Sequence, residues 1–287
     1  MTCIGADKSA FLIINADDFG YFSSVSRGII ECARRKAIAA TSIMANGPNF
    51  ENTIGWLSEF PDLDIGVHLN ITFGSPLTSG MKACLEPYNR TFQNKMRTAW
   101  LILSKKIPVS TVIEEWRAQI ERCISKGLKI LFINSHEHIH MLPTLFKPFV
   151  QLAREFDISF IRFTQPEWPI TLRFDLLFRN WILLLMLILN IREKPDNYFK
   201  LLGAGMSCQL NPEYLENIFK KMERGNIYEL MCHPGYYDKN EIVYPDLVRY
   251  HSWEEELRLL TGEPMAKLLQ KYNVKLVKFA QFQGSKV

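Results

Sequence analysis

No two of the six cysteines form a Cys-x-x-Cys pair, so neither a zinc ribbon nor a thioredoxin-type redox site is indicated. No Gly/Ser-rich or Pro-rich linker divides the 287 residues, and nothing asks for a two-domain split. Lys and Arg are scattered without a basic stripe, and the net charge is only +4, which argues against a nucleic-acid partner. The residues after Met1 lack the apolar stretch of a signal peptide, so a cytoplasmic protein with reduced thiols is the expectation. No internal repeat is visible. The uninterrupted apolar run Trp181–Leu189 is too short to cross a bilayer, which takes about 20 such residues. Arg173, Asp175 and Arg179 break up the rest of the 170–191 stretch. That stretch reads as a core or dimer-interface helix, with a membrane-surface helix as the alternative.

What is present is ample apolar content, 47% of the residues, enough for one large core. A single α/β barrel domain spanning 1–287 is ordinary at this length. Short apolar runs alternate with helix-compatible stretches. Strands are predicted at Phe11–Ile14, Ala39–Ala45, Asp64–Asn70, Lys129–Asn134, Ile158–Phe163, Ile227–His233 and Val274–Phe279, with an eighth candidate near Tyr198–Leu202. Helices are predicted near 23–36, 49–60, 110–126, 144–156, 212–224 and 252–272. This alternation is the mark of a parallel sheet with crossover helices. Residues 71–108 interrupt the rhythm with Gly74, Pro76, Gly80, Pro87 and Pro108, and read as a long loop with one helix-compatible piece near Met96–Leu103.

The chain is organised around Asn15-Ala16-Asp17-Asp18-Phe19-Gly20, at the end of the first apolar run. Two adjacent carboxylates there repel each other and lose water, a cost that a metal ion or a proton relieves. Gly20 permits a bend that aims both at one cleft. His68, His136 and His233 also fall at carboxyl ends of predicted strands. In a closed parallel barrel those features ring one mouth, where such enzymes carry their chemistry. One carboxylate and two imidazoles make a three-ligand site for a divalent ion, and a second carboxylate beside them can take a proton from water. Those are the parts of a metal-assisted amide hydrolase. In Ser135-His136-Glu137-His138-Ile139-His140 the three histidines share a face only if the strand continues, and Pro143 argues that it does not.

Four blocks carry a resemblance: Asn15–Gly20; Gly66-Val67-His68-Leu69-Asn70; Ser135-His136-x-His138-x-His140-Met141-x-Pro143; and Glu229-x-Met231-x-His233-Pro234-Gly235-Tyr236. In order and spacing, from about residue 10 to 280, they resemble the YdjC-like carbohydrate deacetylases. That family includes chitooligosaccharide deacetylase and proteins associated with hopanoid biosynthesis. Thr41-Ser42, Asn46-Gly47-Pro48 and Pro195-Asp196-x-x-Phe199 are similar too. The resemblance implies a distorted β/α barrel of seven or eight parallel strands. It implies removal of an N-acetyl group from an amino sugar with a divalent metal, Mg2+ or Zn2+. It implies Asp18, His68 and His136 as metal ligands, Asp17 as general base and His233 as catalytic acid. Phe19, Phe73, Trp168 and Tyr236, with His138 and His140, are the candidate sugar contacts. Members often carry Asp-Ser-His-His where this chain has Asn134-Ser135-His136-Glu137. Asn134 removes a carboxylate, and Glu137 adds a charge that either faces away or tunes His136. The competing readings are a sugar-binding protein without turnover and a metal hydrolase of another bond. A phosphoester site is expected to carry Arg or a Gly-rich loop beside these motifs.

Overall fold

Ten consecutive buried residues, Ala10–Phe19, form the central strand β1 of the computed structural model, which describes residues 9–167 and 174–284. Around it stand β2 (Ala40–Ile43), β3 (Asp64–Leu69), β4 (Phe132–Ser135), β5 (Phe160–Ile161), β6 (Lys200–Leu202), β7 (Ile227–Cys232) and β8 (Val274–Leu276). Their order is β5-β4-β3-β2-β1-β7-β6, with β8 also pairing β1, and every pairing is parallel. Strands buried on both faces read as continuous apolar runs, which is why they were legible. The sheet curls into a distorted α/β half-barrel. Among the described residues no ladder joins β5 to β6; a single bond from Ile161 N–H to Asn197 O, 3.4 Å, crosses that side.

The helices are α1 (Ser23–Arg34), α2 (Phe50–Thr53), α3 (Ser79–Cys84), α4 (Lys95–Leu103), α5 (Val109–Ser125), α6 (Pro143–Glu155), α7 (Phe174–Asn190), α8 (Pro212–Phe219), α9 (Pro245–Tyr250), α10 (Trp253–Thr261) and α11 (Glu263–Lys271). The expected single helix over 252–272 is broken at Gly262, because Pro264 has no N–H to give and its ring clashes with the preceding turn. The 71–108 stretch is not one loop. It holds α3 and α4, each started by a side-chain cap: Thr78 accepts from Met81 N–H, and Asn94 from Arg97 N–H.

Near the amino ends of the strands the barrel is plugged by aromatic rings. Phe279 stacks on Phe132 at 4.3 Å and touches Phe160 and Phe199. That leaves the carboxyl ends as the side where polar groups gather. The loop after β7 is drawn against α1 there: a Cβ on Gly28 would lie 2.4 Å from Gly235 Cα, so this approach requires glycine. The apolar stretch at 170–191 forms most of α7; its first residues lie outside the described ones. Its expected burial holds on one side only. α7 packs on α6 and on the His136–Met141 turn, while Trp181 and Leu185 on its outer side are 63% and 57% exposed.

Candidate metal and catalytic site

Neighbouring residues on a strand point to opposite faces, yet Asp17 and Asp18 both serve one cluster. The register of β1 against β2 slips between Ala16 and Phe19, Asp18 takes φ +74°, and Gly20 follows at φ +89°. Aspartate tolerates this left-handed conformation better than most residues, and such strain collects at functional sites. His68 comes from the last turn of β3, and His136 starts a 3₁₀ turn at the end of β4. Glu137 (φ +53°) and His138 (φ +56°) are also left-handed, so the three histidines fan out instead of sharing a strand face.

Asp18 Oδ1, His68 Nε2 and His136 Nδ1 form a near-equilateral triangle with edges of 3.3, 3.2 and 3.3 Å. Both oxygens of Asp18 are buried and receive no hydrogen bond. Ligands about 2.0–2.1 Å from a tetrahedral ion stand about 3.3–3.4 Å apart, so the donors fit a divalent ion. His68 Nδ1 lies 2.7 Å from Asn134 Oδ1, and Asn134 Nδ2 donates to Asp17 Oδ1 at 3.0 Å. This chain puts the proton of His68 on Nδ1 and leaves Nε2 its lone pair for a metal. Asn134 thus does here, as an amide, what a carboxylate at that position would do only beside another carboxylate. Burial opposes charge on Asp18, but His136 and His68 outweigh it and hold the carboxyl well below its usual range. Burial also opposes charge on His136, and Asp18 outweighs it, raising the imidazole. Glu137 is exposed and faces Lys95 at 3.8 Å, and its charge adds to that of Asp18 in raising His136.

Asp17 sits behind His68, fully buried. Its Oδ1 accepts from Ser42 Oγ (2.6 Å), Asn15 Nδ2 (2.9 Å), Asn134 Nδ2 and Arg162 Nη2 (3.1 Å), and its Oδ2 from Arg162 Nη1 (2.5 Å). Arg162 turns its other edge to Glu229 Oε1, at 2.9 Å from Nε and 2.5 Å from Nη2. Burial raises a carboxyl, yet Arg162 and His68 pull Asp17 far below the ordinary range. Glu229, with fewer donors, goes the other way: its burial prevails over Arg162. This guanidinium, bridging two carboxylates, has four of its five N–H groups engaged.

The remaining sequence-predicted residues separate. Phe73 stands at the mouth, edge-on to Tyr21 at 4.6 Å, and Tyr21 meets the His136 ring at 5.6 Å. His138 is half-buried with Nδ1 on Thr164 Oγ1 at 3.1 Å, and burial holds its pKa low. His233 is buried; its N–H donates to Glu256 Oε2 at 2.6 Å, its ring Nδ1 has no partner, and its ring lies 5.8 Å from that of His251. Two expected sugar contacts are corrected. Phe19 is 0% exposed, because the register slip turns it into the core. His140 is 0% exposed, stacked on Phe149, with Nδ1 on Ser135 Oγ and Nε2 on the Arg162 carbonyl. Tyr236 gives its hydroxyl to Glu31 of α1. Trp168 lies outside the described residues. Sequence reasoning missed Arg162, although it too closes a predicted apolar strand. Glu229 was visible in a motif but had no role. His251, in the link between α9 and α10, and Glu256, on α10, carried no signal, since neither closes a predicted strand.

Buried neutral histidines make a pH prediction. Burial lowers His140 and His251 to about 3, and His138 also falls. An unfolded histidine titrates near 6.5, so between those values the unfolded chain binds more protons. Stability is therefore complete above about pH 6.5 and falls on acidification by up to about 1.4 kcal/mol per pH unit for each such group. His136, raised, opposes this while no metal is bound, and the raised carboxyls of Glu229, Glu256 and Asp64 oppose it toward the acidic end of the range. Urea unfolding of chelator-treated protein at pH 7.5, 6.0 and 5.0 is expected to show a steady loss. A flat profile contradicts the burial of these imidazoles as neutral groups.

A family model described as YdjC-like protein matches residues 11–271. The carbohydrate deacetylase of Brevibacillus brevis is 27% identical over 275 residues, covering 94% of this chain and 98% of that protein. The carbohydrate deacetylase of Geobacillus stearothermophilus is 27% identical over 274 residues, covering 95% and 98%. A solved structure from Enterococcus faecalis, named for cellobiose-phosphate cleavage, superposes with a TM-score of 0.72 at 23% identity, covering 96% of this chain and 99% of that one. At that identity the likeness speaks for the fold.

Proposed function

The chain belongs to the YdjC-like protein family, and from that premise we propose that it is a metal-dependent carbohydrate deacetylase, removing the N-acetyl group from an N-acetylated amino sugar and releasing acetate. The observation that carries the reading is the donor triangle of Asp18, His68 and His136 with an ionised, Arg-bound carboxylate directly behind it. A divalent ion held by those three would polarise the acetyl carbonyl and acidify a water molecule. The near-tetrahedral spacing suits zinc better than octahedral magnesium, whose neighbouring ligands stand about 2.9 Å apart.

The chain's own residues do the rest. Asp17 takes the water's proton at Oδ2, the oxygen with a single donor. Its low pKa makes it a weak base, which suffices only for a proton that is already acidified. As the new C–O bond forms and the C–N bond breaks, the sugar nitrogen needs a proton, and His233 is the imidazole free to give one. Glu256 holds the backbone of His233 in place. Phe73, backed edge-on by the buried Tyr21, offers an aromatic face for the sugar ring. A phosphoester would need a cation of its own, and Arg162 is committed to Asp17 and Glu229.

The test is acetate release from a panel of N-acetylated amino sugars. Release is expected from protein reconstituted with a divalent ion, and loss of most of it after chelation, with recovery on adding zinc back. Binding of these sugars without acetate under any metal would favour the non-catalytic reading and defeat this one.

A further inference from the structure

Of the large apolar side chains left exposed among the described residues, all but Ile124 and Leu276 lie on three segments: α4, α7 with the turn after it, and residues 237–250. α4 shows Met96, Trp100 and Leu103; α7 shows Phe178, Trp181, Leu185 and Ile188, spaced as one helical stripe. The third segment shows Val243, Tyr244 and Tyr250 among others. All three meet around the turn that carries His136. α4 and α7 both pack on the His136–Met141 turn, Asn190 at the end of α7 bonds Met141 O at 2.7 Å, and Lys95 faces Glu137. Tyr244 lies edge-on to Phe73 at 5.2 Å, and Phe73 leads inward through Tyr21. The exposed apolar side chains therefore stand on three segments that each reach the site's mouth, more than scattered surface residues account for.

Charge says what covers them. Residues 94–113 carry Lys95, Arg97, Lys105 and Lys106 and no acid; residues 174–193 are balanced, Asp175 and Glu193 against Arg179 and Arg192, and residues 237–250 carry Asp238, Glu241 and Asp246 against Lys239 and Arg249. Lys106 lies across the Trp100 ring, Nζ 4.4 Å from its centre, an apolar stem on an apolar face with its ammonium at the edge. A second copy laid α4 against α4 would bring those four cations together. Apolar stripes bearing tryptophan and edged by Lys and Arg match the boundary between acyl chains and anionic headgroups. No helix among the described residues is long and apolar enough to cross a membrane, so the contact is one of lying on it. We propose that α4 and α7 dock this chain on an anionic lipid surface, with the mouth of the site turned toward the headgroups.

Vesicle co-sedimentation of the purified full chain tests this without any enzyme assay, so its outcome is independent of the deacetylase reading. Vesicles of phosphatidylcholine with phosphatidylglycerol are expected to bind on the order of tenfold more protein than phosphatidylcholine alone, and less as salt is raised. The pair Trp181→Ser and Leu185→Ser, and separately the pair Lys105→Glu and Lys106→Glu, are each expected to cut binding by roughly tenfold with the melting temperature nearly unchanged. Absence of binding to either vesicle, or binding indifferent to both variants, overturns the proposal. So does a lipid-free dimer in sedimentation velocity that Trp181→Ser with Leu185→Ser converts to monomer, since the exposed segments would then be a self-association face.

Discussion

Asp17→Asn is expected to lower kcat on an N-acetylated sugar by on the order of 10²-fold or more, while the protein folds and keeps its metal. The size of the effect follows from removing the carboxylate proposed as the base. Survival of the fold follows from charge balance. Arg162 bridges Asp17 and Glu229, so losing Asp17 leaves one cation with one anion. The new amide nitrogen meets a donor of Arg162 or its neighbours, which costs about 1–3 kcal/mol and lowers the melting temperature without unfolding the chain. Arg162→Met is the contrasting variant. It strands two buried carboxylates and is expected to destabilise by about 3–5 kcal/mol. Turnover of Asp17→Asn within twofold of wild type, on a verified substrate, makes Asp17 only the brace of His68.

Metal content gives the second large effect. Asp18→Asn, His68→Ala and His136→Ala are each expected to weaken metal affinity about tenfold or more, because each removes one of three donors. The three variants differ in what they leave behind. Asp18→Asn also removes the charge that raises His136, so its pH dependence of metal binding should shift toward lower pH. His68→Ala opens the space in front of Asn134 and leaves that amide oxygen without its donor. Metal analysis after dialysis against limiting metal, with melting curves on the same samples, separates lost ligation from lost fold. Wild-type occupancy in all three variants contradicts the assignment.

Much of this was in the sequence. Strands buried on both faces announce themselves as short apolar runs, and a polar residue at the end of such a run is conspicuous. That is how the Asp17–Asp18 pair, His68, His136 and His233 could be marked before the fold was known, the family resemblance then singling out Asp18, His68 and His136, and how seven strands and an eighth candidate could be set in parallel. The 71–108 stretch was harder: the piece near Met96–Leu103 announced α4, but prolines and glycines masked the capped helix α3. What the sequence could not show is which way each strand end faces. Phe19 turns into the core and Asp18 into the cluster because the register slips by local backbone torsion, which residue types permit but do not dictate. His140 is buried for the same reason: two left-handed residues swing it toward Phe149. Arg162, Glu229 and Asp17 are 67 and 145 residues apart along the chain and become one ion-paired group only when β1, β5 and β7 are assembled. The linear pattern determined which residues are polar at the rim, because burial is written in composition and period. The tertiary structure alone decided which of them meet, because contact between strands distant in sequence depends on register and torsion.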